Sequence, residues 1–81
     1  MLHIYYFAAL AETLQCREEQ LERGTLSTLG DLRRALAERG DAWQALKHPS
    51  TRGAINKHVA TDTSPLANND EVAFFPPVTG G

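Results

Sequence analysis

Apolar and polar residues alternate at both ends of the chain and recur at helical spacing in its middle. The opening Leu2-His3-Ile4-Tyr5-Tyr6-Phe7 is β-branched and aromatic. Successive strand side chains point to opposite faces, so Leu2, Ile4 and Tyr6 share one face and His3, Tyr5 and Phe7 the other. The second set is largely apolar too, which asks for cover on both sides of the strand. Glu71 to Phe75 repeats the alternation, with Val72 and Phe74 on one face and Ala73 and Phe75 on the other.

Between these strands the period changes. Leu29, Leu32 and Leu36 stand at i, i+3 and i+7 and make one apolar stripe, with Ala35 as a small neighbour. The pattern predicts a helix over 29–39. Thr28 caps it, Asp31 takes a capping-box-like position, and Arg39 followed by Gly40 suits the C-terminal end. Asp41 to Leu46, carrying Trp43, reads as a shorter turn that Pro49 ends. Ala8 to Leu14 reads as a loop or a single turn. Residues 17–22 have helical composition, but Gly24 closes the segment and six residues make a poor isolated helix. They read as a short polar edge strand paired with the first, its charges discouraging edge-to-edge association. Ala54 to Ala60 reads as a strand, or as a hairpin turning near Asn56-Lys57. Thr61 to Pro65 is a loop, and Asn68-Asn69-Asp70 is a turn signal.

This order predicts an α+β fold: a mixed sheet of four to five strands with one main helix packed on one face. The first and last strands are the most hydrophobic, so they are expected to be central, adjacent and parallel. The chain carries no repeat or linker and reads as a single domain over 1–81, with a flexible C-terminal tail from about residue 76.

Composition narrows the function. The 81 residues carry a formal net charge of −2 and no basic run, so there is no electrostatic footprint for nucleic acid or an anionic membrane. No apolar run is long enough to span a bilayer. The start lacks the pattern of a secretory signal, and a cytoplasmic location is expected. Cys16 is the only cysteine, which fits a reducing compartment and reads as a spare surface or half-buried thiol rather than a nucleophile. His3, His48 and His58 have no metal-ligand spacing, so no metal site is expected. The sequence shows no paired carboxylates placed to shift each other's pKa, no Ser-His-Asp pattern and no phosphate-cradling glycine loop.

The segment Phe74-Phe75-Pro76-Pro77-Val78-Thr79-Gly80-Gly81 carries the candidate chemistry. Proline fixes φ and offers no amide hydrogen, so Pro76-Pro77 ends sheet pairing and favours a stiff, extended exit. Gly80 and Gly81 have no side chains and suit a slot too narrow for anything larger.

Glu71 to Gly81 resembles the C-terminal signature of the small-subunit family of molybdopterin synthase. The strand-strand-helix-strand-strand order with a Gly-Gly end is the ubiquitin-like β-grasp arrangement. The resemblance implies a sulfur carrier that is not itself catalytic. An adenylyltransferase similar to the ubiquitin-activating enzymes, holding ATP and Mg, adenylates the Gly81 carboxylate. Sulfur then replaces the leaving group and leaves a terminal thiocarboxylate. The donor is a cysteine desulfurase or a rhodanese-like protein. The tail enters the large synthase subunit, in a heterotetramer of two small and two large subunits, and gives its sulfur to cyclic pyranopterin monophosphate to build the dithiolene. The resemblance assigns the reacting group to Gly81 and the slim tip to Gly80, with Val78 and Thr79 lining the path and Pro76 and Pro77 aiming it. Phe7 and Phe75 have the parity to stand together on the outward sheet face, and Val59 matches a family position used for the same contact. On the residues alone, rivals stay open: a thiamin-pathway sulfur carrier, a ubiquitin-like protein modifier and an inert β-grasp binding module. The Phe-Phe-Pro-Pro-Val-Thr run argues against the thiamin carrier.

Overall fold

In the computed structural model, which describes residues 1–76, the alternating ends pair as strands β1 (Leu2–Tyr6) and β5 (Glu71–Phe75). They run parallel, with Ile4 opposite Val72 and Tyr6 opposite Phe74. Strand β2 (Glu18–Leu21) pairs antiparallel with the free edge of β1, as the polar 17–22 segment predicts. Strands β3 (Arg52–Ile55) and β4 (His58–Ala60) form the expected hairpin, and β3 lies antiparallel to β5. The sheet order is therefore β2-β1-β5-β3-β4. Asn56 and Lys57 turn the hairpin with φ of 50° and 71°, the positive values that a two-residue turn needs to match strand twist. The Asn56 side chain donates to Asp70 at 2.9 Å and accepts from the Glu71 N–H at 3.0 Å.

Helix α1 covers Ala8–Leu14, where the sequence suggests only a loop or a single turn. It has no side-chain N-cap bond and enters through Ala8 at φ 54°. A seven-residue helix is marginal alone. This one is held by burying Leu10 and Leu14, one turn apart, in the core. The main helix, α2, runs Leu29–Ala37, two residues shorter than predicted, and Ala37 rather than Ala35 is its buried small residue. Its N-terminus is satisfied on every side. The Asp31 N–H donates to Thr28 Oγ1, and the Asp31 carboxylate accepts from the Ser27 and Thr28 N–H groups. The Leu29 and Gly30 N–H groups donate to the carbonyls of Ser64 and Asp62, each at 2.9 Å. A 3₁₀ segment over Asp41–Lys47 follows and packs Trp43 against the core.

The core lies between the sheet and these helices, where Leu2, Ile4, Leu29, Leu32, Leu46, Val72 and Phe74 are fully buried. Gly53 sits opposite Phe74 in β3. A Cβ at Gly53 would stand 2.8 Å from Leu29 Cδ2, so the bare backbone is what lets α2 settle onto the sheet.

Candidate functional site

The strand register places the apolar outward residues in rows. One row runs Tyr5, Ala73, Ala54, Val59 across β1, β5, β3 and β4. Phe7 and Phe75 lie one step further along. Phe7 keeps extended geometry and its N–H donates to the Phe74 carbonyl at 3.1 Å, so Phe7 and Phe75 keep the parity of Tyr5 and Ala73. Phe7 is 50% exposed and Val59 71% exposed. Phe75 is half-buried and faces Arg52 across the sheet. Small Ala73 between these larger groups leaves a shallow apolar trough flanked by Tyr5, Phe7, Lys57 and Glu71. The three outward residues expected from the sequence thus share one face. Tyr5 and Ala73 join them, though the sequence reading did not single them out. Their signal was the period-two parity with Phe7 and Phe75.

Strand β5 ends at the edge of this face. Phe74 is buried, stacked on Tyr6 with ring centroids 6.1 Å apart. Phe75 closes β5, and Pro76 follows outside the strand. Pro77, Val78, Thr79, Gly80 and Gly81 lie outside the described residues.

The helix-facing side of the sheet carries a polar cluster instead of a reactive one. Glu19 of β2 accepts from the Tyr6 hydroxyl at 2.8 Å and from both terminal nitrogens of Arg39 at 2.8 and 3.0 Å. The Arg39 guanidinium lies 4.7 Å from the centre of the Trp43 ring, and Trp43 meets Tyr6 edge-on. Burial alone would raise the Glu19 carboxyl, but the bonds from Arg39 and Tyr6 outweigh it and hold the group below the usual carboxylate range. Burial, reinforced by Glu19, pushes the Tyr6 phenol far above its ordinary value. Cys16 is half-buried beside this cluster, its Sγ 3.6 Å from the Glu18 carbonyl. Burial and the Glu19 carboxylate push its thiol up, away from the thiolate a nucleophile requires. His58 lies exposed on β4, as its strand placement predicts. Among the described residues, no group of three His, Cys, Asp or Glu side chains is placed to hold a metal ion.

The described residues thus present an apolar outward face on the strand that leads into Pro76. The ThiS family model matches residues 4–81. The molybdopterin synthase sulfur carrier subunit of Haemophilus influenzae is 40% identical over 82 aligned residues, covering the whole of both chains. The crystal structure of SAMP1 from Haloferax volcanii superposes with a TM-score of 0.82 at 28% identity, over 99% of this chain and 98% of that one. A chain from the complex of subunits 1 and 2 of molybdopterin-converting factor of Helicobacter pylori gives a TM-score of 0.69 at 21% identity, over 99% of this chain and 97% of that one, a likeness of fold.

Proposed function

The chain belongs to the ThiS family, and from that premise we propose that it is the sulfur carrier subunit of molybdopterin synthase. The observation that carries this reading is the full-length match to a molybdopterin synthase sulfur carrier subunit at 40% identity. The match does not favour the thiamin-pathway, modifier or inert-module readings.

The chemistry follows from the need to activate a carboxylate. The Gly81 carboxylate is anionic and lacks a leaving group, so it resists nucleophiles. Attack of its oxygen on the α-phosphorus of ATP releases pyrophosphate and leaves an acyl-adenylate. The outer sulfur of a donor persulfide then adds at the acyl carbon and expels AMP, and a second thiol attacks the donor-side sulfur of the resulting acyl disulfide, forming a disulfide with the donor cysteine and leaving the thiocarboxylate on Gly81. ATP and Mg belong to the activating adenylyltransferase, and the sulfur comes from a cysteine desulfurase or rhodanese-like donor. The thiocarboxylate sulfur then passes to cyclic pyranopterin monophosphate, and two such transfers complete the dithiolene.

The partner is the large synthase subunit, in keeping with the Helicobacter pylori neighbour, whose structure is of subunits 1 and 2 together. We assign the contact to Phe7, Val59 and Phe75, with Pro76 and Pro77 directing Val78, Thr79, Gly80 and Gly81 into the partner. Two carriers and two large subunits make the heterotetramer, working in the cytoplasm. Acid–base groups sit on the partners, and this chain brings the reacting atom.

The test is single-turnover conversion of the precursor by chemically thiocarboxylated carrier and large subunit, beside a carrier extended by one glycine after Gly81. The extra residue moves the reacting carbonyl by about 3.5 Å, as far as the whole near-attack separation of roughly 3–3.5 Å. The native carrier should transfer its sulfur and the extended one should not. A native thiocarboxylate that delivers no sulfur would overturn the reading.

A further inference from the structure

We infer that Arg33 is a positioning residue for sulfur delivery: from the helix side of the sheet it fixes the strand end from which the tail departs. The inference rests on the sulfur-carrier reading. Arg33 has a nearly buried side chain, 13% exposed, and it ties together five separate parts of the fold. It sits on α2. Its Nε donates to Asp62 in the loop after β4 at 3.0 Å. Its Nη1 donates to the Leu46 carbonyl at 2.6 Å, near the end of the 3₁₀ segment, and to the Thr51 carbonyl at 3.0 Å. Its guanidinium carbon lies 5.5 Å from the centre of the Phe74 ring, within the range where a cation is drawn to an aromatic face.

Two of these contacts bear on the root of the tail. Phe74 is the last fully buried residue before Pro76, with Tyr6 stacked against it and Arg33 within cation–π range. Thr51 immediately precedes Arg52, and Arg52 is the partner of Phe75. The root is therefore held on the β1 side by the Phe7 N–H on the Phe74 carbonyl. On the β3 side it is held by a strand whose entry Arg33 pins, reinforced by the Thr51 hydroxyl on the Ala45 carbonyl at 2.8 Å.

The lever arm makes this hold matter. Five residues beyond Pro76 reach at most roughly 17 Å at about 3.3–3.6 Å each. For a tip at that full reach, a swing of about 10° at the root corresponds to about 3 Å, and a misplacement of about 1 Å can slow a positioned reaction a hundredfold. A lysine cannot replace the fork, because its ammonium is a single point and cannot span Asp62, Leu46 and Thr51 together.

The experiment uses thiocarboxylated Arg33→Lys, Arg33→Met and Asp62→Asn carriers with the large subunit. Single-turnover transfer is measured against large-subunit concentration, a thermal melt of each carrier gives its folded fraction, and amide exchange is followed by NMR. The saturated rate should fall tenfold or more in Arg33→Met and less in Arg33→Lys and Asp62→Asn, while half-saturation changes less than the rate, because no residue of the docking face is itself replaced. Exchange should quicken over 51–53 and 74–75 ahead of Ile4 and Val72. An unchanged saturated rate overturns the inference, as does a loss confined to half-saturation or one no larger than the unfolded fraction. Asp62→Asn touches only an exposed partner and keeps the test valid if Arg33→Met does not fold. A native carrier that transfers no sulfur would sink the functional reading instead, and the exchange pattern would still decide whether Arg33 holds the strand end.

Discussion

Replacing Glu19 by glutamine tests the polar cluster behind the sheet. The carboxylate accepts hydrogen bonds from Tyr6 and both terminal Arg39 nitrogens, and a longer one of 3.9 Å from the Cys16 thiol. Glutamine retains one acceptor oxygen and loses the charge. A hydrogen bond to a charged group contributes roughly 1.5–3 kcal/mol. Both partners remain part-exposed, at 21% for Glu19 and 33% for Arg39, so solvent screens some of this and the expected loss is about 1–2 kcal/mol. In a domain of this size that lowers Tm by about 5–15 °C. The pH dependence has a definite sign. The folded-state carboxyl is held below its ordinary range, so its contribution is fully present above the unfolded pKa of roughly 4.3. It is lost as pH falls through the lower folded value. Urea unfolding of the native protein and the Glu19→Gln variant, run from neutral to acid pH, should show the gap closing on acidification. A gap below about 0.3 kcal/mol at neutral pH, within ordinary surface-substitution scatter, would refute the reasoning. A gap that stays constant through the acid range would refute it equally.

Three further outcomes are expected. Phe75→Arg should weaken large-subunit binding, measured by calorimetry, with little change in the circular-dichroism melt, because Phe75 lies on the outward face and an unpaired charge buried in an interface is costly; collapse of the fold would place Phe75 in the core. Gly53→Ala should destabilise the domain by about 1–3 kcal/mol in urea unfolding, the usual cost of overpacking, since the new methyl meets Leu29; native stability would show that Leu29 can move aside freely. Cys16→Ala should still accept sulfur at the chain end, read by intact mass after activation, and failure in a folded variant would make the carrier chemistry cysteine-based.

The sheet was legible because a period of two is written directly into Leu2, Ile4 and Tyr6 and into Val72 and Phe74, and burial follows that parity. The start of α2 was legible because Thr28 and Asp31 satisfy its first N–H groups locally. Helix α1 was obscured because seven residues without a side-chain cap carry little helical signal of their own. The Leu10–Leu14 spacing was the one clue, and tertiary burial decided the outcome. Arg33 and Gly53 were hidden for a different reason. An arginine on a helix reads as a solvated face and a glycine in a strand as a weakness. Only the packing of distant segments gives one three carbonyl and carboxylate partners and the other a leucine against its backbone. The outward position of Phe7 and Phe75 followed from parity and that of Val59 from the family resemblance, while a role in binding needs a partner to be read.

The sheet order has a consequence for when the carrier becomes usable. Strand β5 is last in chain order yet stands between the β2-β1 pair and the β3-β4 hairpin. Until it inserts, the chain consists of two separate two-stranded units, and such units are marginal in water. Bringing β5 to β1 closes a loop of most of the chain, a contact of high sequence separation and correspondingly slow to form. The same event assembles the row from Tyr5 to Val59 and sets Phe75 beside Phe7. Maturation of the scaffold and presentation of its deliverable end are thus one cooperative step, and an enzyme that grips the outward face would meet only finished molecules.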